Sequence, residues 1–273
     1  MAEALDFLQS LVNKGKSYSV VNTARSALSA ILQLPSGQSF GELFLVRKFM
    51  RGVYNMKPPT PRYCETWDPQ IVLNFLKSWS PAKKISLKKL TWKLVMLILL
   101  STGQRGQIIK ALNVDQMTIS PGKVTFLIDN KDLKQGRPGY KADPIVFKAF
   151  PADKRICVFQ YLTVYLQRTL DIRGAHKQVI LTTVKPHLPA SRDTVSRWVR
   201  LVLQRAGIDC TKFKAGSTRA AAVSKAAKNG AHVDEIMRAA GWTQESTFTK
   251  WYKKPVKQRK KFGDFVWSDN SKQ

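Results

Sequence analysis

The chain has 273 residues, of which 44% are hydrophobic, as is typical of a globular protein with a buried core. Lysine and arginine number 46 against 18 aspartate and glutamate residues, so the formal net charge is +28. This self-repulsion favours a polyanionic partner, with nucleic acid the first candidate and an anionic membrane surface the second. The longest apolar run, Leu94 to Leu100, is too short to span a bilayer, and no secretory signal pattern opens the sequence, so we expect neither membrane insertion nor export.

The cysteine pattern and the glycine pattern both argue against a cofactor. The three cysteines, Cys64, Cys157 and Cys210, lie far apart and show neither CxxC nor Cys/His metal spacing. Free core thiols in a reduced intracellular compartment fit this pattern. The sequence contains no glycine-rich loop of the Walker or Rossmann type. We therefore expect no metal and no nucleotide cofactor.

Residues 1–56 predict a small all-helical domain. Apolar residues recur at helical spacing in three segments, which run from Ala4 to Val12, from Val20 to Ile31 and from Leu43 to Val53. The Pro35-Ser-Gly-Gln stretch breaks the second segment. Residues 57–66 then read Lys-Pro-Pro-Thr-Pro-Arg-Tyr-Cys-Glu-Thr, which favours an extended, stiff linker. A second domain is expected over residues 67–273.

The second domain is predicted to be mainly helical with one small β-hairpin. Asp68-Pro69 is a helix-start signal, and Ser86 caps a buried helix that ends near Gly103. The runs 124–128 and 144–147 flank a Lys/Gly/Pro-rich turn and predict the hairpin. Further helices are expected at about 155–169, 191–206, 218–229, 233–240 and 244–252, with Gly230 and Gly241 as C-terminal caps.

Four motifs in the second domain carry candidate chemistry. They are Ser101-Thr-Gly-Gln-Arg105, the turn Lys131-Asp-Leu-Lys134-Gln-Gly-Arg137-Pro-Gly, the segment Phe213-Lys-Ala-Gly-Ser-Thr-Arg219, and Gly241-Trp242 followed by Trp251-Tyr252-Lys-Lys-Pro255. An arginine in the first turn of a helix opposes the helix dipole, so Arg219 is a physical hint of a bound anion.

Together these motifs resemble the tyrosine recombinase (integrase) family. That family has a Thr-Gly-x-Arg arginine, a hairpin lysine, a His-x-x-Arg box, a Gly-His or Gly-Trp, and then a tyrosine. Here Trp242 follows Arg219 by 23 residues and Tyr252 follows Trp242 by 10, which matches the family in order and spacing. The amino-acid sequence from Ser217 to Pro255 is similar to that of recombinases of eukaryotic mobile elements of the DIRS type. The resemblance covers about residues 90–255 and implies a helical core-binding domain plus a catalytic domain, forming a C-shaped clamp around double-stranded DNA.

The resemblance implies a role for each motif residue. Arg105 and Arg219 would bind the non-bridging phosphate oxygens, where charge develops during attack. Tyr252 would attack phosphorus and hold the strand as a 3′-phosphotyrosine, so that neither metal nor ATP is required. Lys134, or alternatively Lys131, would protonate the leaving 5′-oxygen. Trp242 would either donate its indole N–H to the phosphate or pack against the tyrosine segment.

The sequence departs from the family pattern at Gly216, where the box would place histidine. None of the three histidines of the chain, His176, His187 and His232, stands in for it. The family histidine assists proton transfer at the tyrosine, so its absence puts the catalytic rate in question. A weakened or inactive enzyme that still binds DNA is therefore a competing reading.

Further expectations concern binding, assembly and location. Residues predicted to contact DNA are Arg25, Arg47, Lys48, Arg51, Lys214, Lys253 and Lys254. Residues 256–273 contain a basic run and then Phe262, Phe265, Val266 and Trp267, and we expect this segment to pass to a neighbouring protomer in a dimer or tetramer on DNA. The basic run is also typical of nuclear localisation. A topoisomerase using the same tyrosine chemistry as a monomer is the remaining alternative.

Overall fold

The structure is a computed structural model that describes residues 2–32, 34–35, 37–60, 63–129 and 143–256. Its described residues are mostly helical and include one small antiparallel sheet, which confirms the predicted fold class. The chain divides into two compact units, Met1–Arg62 and Tyr63–Gln273. No helix within the described ranges combines the length and the apolar character that crossing a bilayer requires.

The first unit is a small helical body with a core of its own. Its helices are α1 (Ala2–Asn13), α2 (Tyr18–Ile31) and α3 (Phe44–Met56). Each helix turns one apolar face inward, and the buried residues are Leu8, Val21, Phe40, Val46, Met50 and Val53. A 3₁₀ turn at Phe40–Glu42 precedes α3, and Ser39 and Glu42 cap it reciprocally.

The second unit contains the remaining elements. Its helices are α4 (Pro69–Lys77), α5 (Leu87–Thr102), α6 (Ile108–Ala111), α7 (Val158–Thr169), α8 (Arg192–Arg205), α9 (Ser217–Lys228), α10 (Val233–Ala240) and α11 (Glu245–Thr247). The α11 helix continues directly into a π-helical turn, Phe248–Tyr252. As predicted, the Asp68 side chain caps α4 and Ser86 caps α5.

Helix α5 forms the centre of the second unit. All residues from Leu90 to Leu99 are buried, and α7, α8 and α9 pack around the helix. One of these buried residues is ionisable: Lys93 donates hydrogen bonds to the carbonyl oxygens of Leu76 and Trp79 and to the Tyr161 hydroxyl. Burial lowers the pKa of Lys93 to about 7. This lysine therefore ties α4 and α7 to the central helix.

The sheet has three antiparallel strands in the order β1 (Met117–Ser120), β2 (Lys123–Phe126) and β3 (Ile145–Lys148). The predicted hairpin is the β2–β3 pair, with Val124 opposite Phe147. Strand β1 was not predicted from the sequence, and it pairs with β2 through a two-residue turn whose Gly122 has φ 72°.

Two predicted helices differ from the observed ones. The helix expected at 155–169 begins only at Val158, because Pro151–Ile156 forms a separate 3₁₀ segment and Cys157 is extended. The helix expected at 244–252 is split into the short α11 and the π-helical turn. A π turn within a helix is rare and is frequently found at functional sites, and this one ends on Tyr252.

Candidate functional site

Arg105 follows the C-terminus of α5, which ends at the C-cap residue Gly103. Gly103 has φ 60°, and a Cβ added there would lie 2.9 Å from Cγ1 of Val223 on α9. Glycine is therefore required both by the backbone conformation and by the close approach of α9. The next residue, Gln104, donates from Nε2 to the Ala239 carbonyl oxygen at 2.9 Å. These contacts fix the segment that carries Arg105, which is half-buried and lines a cavity.

Arg219 lies in the first turn of α9 and is only 3% exposed. Its Nη2 donates to the carbonyl oxygen of Ala240, at the C-terminus of α10, at 2.9 Å. Its guanidinium carbon lies 4.2 Å from the ring centroid of Trp242 and 5.3 Å from that of Tyr252. The Nε and Nη1 atoms are buried and have no hydrogen-bond partner among the residues that the structure describes. Arg219 thus has a fixed orientation and donors left for a ligand.

The electrostatics of the site favour an anion. Burial and, to a smaller extent, the positive charge of Arg105 lower the pKa of Arg219 to about 10, while Tyr252 acts in the opposite direction. Arg219 is therefore still charged at neutral pH. Two guanidinium groups that share a partly buried cavity repel each other, and an oxyanion bound between them would relieve that repulsion.

Tyr252 ends the π-helical turn and is half-buried. Its ring centroid lies 4.6 Å from that of Trp242, which in turn lies 5.8 Å from Phe248. The amide of Lys253 donates to the Phe248 carbonyl oxygen at 2.8 Å and closes the turn. Tyr252 is thereby held on a small apolar cluster beside Arg219.

One cavity of about 460 Å³ brings the two arginines and the tyrosine together. Arg105, Gly216, Arg219 and Tyr252 all line it. The cavity has further lining residues with polar side chains that the motifs did not assign a role, namely Gln104, Gln107, Arg192, Ser196 and Thr218. Arg192 and Ser196 occupy one exposed face of α8, and their four-residue spacing was the available signal.

Gly216 leaves open space at this cavity. It directly precedes α9, with φ −66° and ψ −12°, which any residue adopts. A Cβ built at this position meets no atom within 4 Å among the described residues. The place where the family pattern has histidine is therefore accessible and unobstructed.

Trp242 is 7% exposed and packs against Tyr252, which corresponds to the second of the two roles considered for it. Its indole N–H is buried and finds no acceptor in the described part of the chain. A hydrogen bond from this group to a phosphate stays a prediction.

The other predicted site residues have varied positions. Lys131 and Lys134 fall in residues 130–142, outside the described residues, as do residues 257–273 of the predicted exchange segment. Arg25 directs Nη1 towards the Gly41 carbonyl oxygen at 3.5 Å and is half-buried. Lys254 is half-buried, and the remaining predicted DNA contacts are exposed, namely Arg47, Lys48, Arg51, Lys214 and Lys253. Across the described ranges, no group of three or more His, Cys, Asp or Glu side chains is placed to hold a metal ion.

Comparison with known proteins identifies the family. The profile of the phage integrase family matches residues 74–259, more than half of the chain. The chain therefore belongs to the phage integrase family, the tyrosine recombinases, in agreement with the resemblance seen in its motifs. A comparison with curated protein sequences finds no match.

Solved structures share the fold at low sequence identity. The XerH site-specific recombinase bound to difH has a TM-score of 0.56 and 15% identity, over 89% of this chain and 64% of that one. A lambda integrase dimer bound to a COC′ core site has a TM-score of 0.56 and 16% identity, over 100% and 67%. The Tn1549 transposon integrase with transposon right end DNA has a TM-score of 0.57 and 13% identity, over 97% and 82%. The chain thus spans slightly less than two thirds of the XerH chain.

Proposed function

We propose that this protein is a site-specific DNA recombinase or integrase of a mobile element, of the DIRS-like type, and that Tyr252 is its nucleophile. One observation carries the proposal. Buried Arg219, whose Nε and Nη1 have no partner among the described residues, lines one cavity together with Arg105 and Tyr252. A phosphodiester presents the paired oxygens that such donors bind.

The proposed reaction assigns one task to each group. The Tyr252 phenol loses its proton to solvent, its oxygen attacks phosphorus, the bond to the 5′-oxygen breaks, and the strand is held through a 3′-phosphotyrosine. Arg105 and Arg219 neutralise the charge that accumulates on the non-bridging oxygens. Lys134, or alternatively Lys131, gives a proton to the leaving 5′-oxygen. Attack by a 5′-hydroxyl on the phosphotyrosine reverses these steps and rejoins DNA, with the phosphodiester energy conserved.

Assembly and location belong to the same proposal. The fold neighbours include a lambda integrase dimer on a core site and a lambda integrase tetramer on a Holliday junction. We infer that this chain also acts as a dimer or tetramer on double-stranded DNA, with residues 256–273 passed between protomers. The basic run after Tyr252 supports a nuclear location.

A second function is favoured by Gly216. The cavity lacks a side chain where the family pattern has a proton-transfer group, and the space is open. A DNA-binding protein that kept the recombinase fold and lost most of its activity fits this observation.

The deciding experiment uses a pool of nicked duplexes with randomised flanks, which trap the covalent intermediate because the short fragment that carries the free 5′-hydroxyl diffuses away. We expect wild-type protein to form a covalent adduct, and Tyr252→Phe to bind the same DNA without forming one. Adduct formation by both proteins would exclude Tyr252 as the nucleophile. If wild-type protein binds DNA and forms no adduct, the non-catalytic DNA-binding function is supported and the recombinase function is refuted.

A further inference from the structure

Ser224 makes an unusual contact for a serine inside a helix. Several other helical hydroxyls of this protein, such as those of Ser26, Thr91 and Thr163, donate to the carbonyl oxygen four residues earlier, the common local bond. Ser224 lies within α9, is 3% exposed, and donates instead to the carbonyl oxygen of Tyr252 at 2.7 Å. Its hydroxyl is therefore used for a contact between segments that are distant in sequence.

The same hydroxyl also accepts a hydrogen bond from the amide of Lys254 at 3.0 Å. It thus bridges two main-chain groups, one of Tyr252 itself and one two residues later. Both groups lie at or beyond the end of a helical segment, where carbonyl and amide groups lack partners within the helix. One buried side chain therefore satisfies both groups and fixes the course of the chain through the tyrosine.

Helix α9 carries both this serine and Arg219. The five-residue separation corresponds to about 7.5 Å along the helix axis. Because the helix is rigid, the position of the guanidinium and the position of the Tyr252 main chain are set by the same element. The side chains between them on α9 are alanines and one valine, which allow the tyrosine segment to approach closely.

A second main-chain contact acts further along the segment. The amide of Thr66 donates to the Pro255 carbonyl oxygen at 2.9 Å, and Thr66 forms a parallel bridge with Val256. The backbone from Tyr252 to Val256 is therefore held at both of its ends. The contact nearer to the phenol is the one made by Ser224.

We propose that Ser224 is a positioning residue for strand cleavage, since its hydroxyl fixes the main chain of Tyr252 and so holds the phenol beside Arg219. This inference rests on the proposed function. Ser224 itself contacts neither DNA nor the reacting phosphate. A misplacement of about 1 Å at an attacking group is enough to lower a rate by about a hundredfold.

The test compares Ser224→Ala with Thr91→Val in the full-length protein. Thr91 is also fully buried, and its hydroxyl donates to the Leu87 carbonyl oxygen within α5, so its loss serves as a matched control for general destabilisation. For each protein, single-turnover adduct formation is measured at saturating nicked duplex, together with the Kd for that duplex and the Tm. Hydrogen exchange reports the protection of the Lys254 amide.

We expect Ser224→Ala to form adduct about tenfold to a hundredfold more slowly, with Kd within about twofold of wild type. The Lys254 amide should exchange its hydrogen faster in Ser224→Ala than in wild type. In Thr91→Val, both the exchange of this amide and the rate of adduct formation should stay at the wild-type value. An unchanged rate in Ser224→Ala, an equal rate loss in Thr91→Val, or a Kd weakened as much as the rate would each overturn the positioning role. If wild-type protein binds DNA and forms no adduct, the proposed function fails and this inference fails with it.

Discussion

Replacing Gly216 with histidine is expected to accelerate DNA cleavage. The substitution supplies the proton-transfer group that the family pattern places three residues before Arg219. The backbone at Gly216 has an ordinary helical conformation, and a Cβ there meets no atom within 4 Å among the described residues, so neither the backbone nor the first side-chain carbon is strained.

The magnitude follows from two contributions. Removing a glycine at a compatible backbone conformation stabilises a protein by about 0.4–1 kcal/mol through the unfolded state, so folding is not impaired. A positioned general acid or base contributes typically about 10²- to 10⁴-fold to a rate. Because the surroundings of Gly216 are not arranged to orient an imidazole, we expect a gain at or below the lower end of that range, about tenfold to a hundredfold.

The positive charge of the site favours the neutral form of a histidine side chain at residue 216, which is the form that can accept a proton. Arg105 and Arg219 are positively charged, and the N-terminus of α9 adds a positive dipole end. All three lower the pKa of an imidazole at residue 216 and so favour its neutral form. A neutral imidazole can accept the phenol proton as Tyr252 attacks.

The assay is the single-turnover rate of adduct formation on nicked duplex, measured from pH 6 to 9. Gly216→Ala is the matched control, because it makes the same backbone change and adds no titratable group. Gly216→His should form adduct faster than Gly216→Ala throughout the upper part of this pH range. Equal rates for the two variants would refute the argument that Gly216 marks a missing proton-transfer group.

Three further predictions follow from described contacts. Arg219 lies beside the Tyr252 ring of the same chain, so each active site should take both residues from one protomer. A mixture of the Arg219→Ala and Tyr252→Phe proteins should therefore form no adduct. Adduct in the mixture would show that one protomer supplies the tyrosine and another the arginine. Gly103→Ala should destabilise the protein by about 2 kcal/mol or more in urea unfolding, whereas Gly106→Ala, with open space around it, should not. With the pKa of Lys93 lowered to about 7, the unfolded state binds more protons above that pH, so the free energy of unfolding should rise from pH 7 to 9, by at most about 1.4 kcal/mol per pH unit. Lys93→Met should flatten that rise. An identical dependence of the free energy of unfolding on pH in both proteins would contradict the lowered pKa of Lys93.

Local sequence signals predicted most elements of the fold, and the failures have physical causes. The caps at Asp68 and Ser86 and the hairpin pairing of β2 with β3 depend on neighbouring residues, which the sequence displays directly. Strand β1 was missed because Met117–Ser120 is short and only partly buried, so alternation is weak. The burial of α5 was predicted, but the burial of Lys93 within it depends on carbonyl groups of α4 and of the loop that follows it.

The candidate site was predicted as a set of residue types, and its geometry was not. Motif spacing identified Arg105, Arg219 and Tyr252, which the structure places around one cavity. The anchoring of Arg219 to Ala240 and the contact of Ser224 with Tyr252 join segments more than 20 residues apart. Such contacts depend on how α9, α10 and the π-helical turn pack, and no local pattern encodes them. A serine between valine and lysine in an alanine-rich helix was the sole hint of the second contact.

The pairing of Thr66 with Val256 bears on the order in which the protein acquires its parts. These residues are roughly 190 positions apart, so closing that loop is entropically costly until most of the second unit has already formed. The tyrosine segment is therefore expected to dock late in folding, and to be among the first parts to detach. Under the proposed function, a chain in which this segment has not docked lacks the phenol oxygen beside Arg219. The protein would then gain its nucleophile only in the last step of folding.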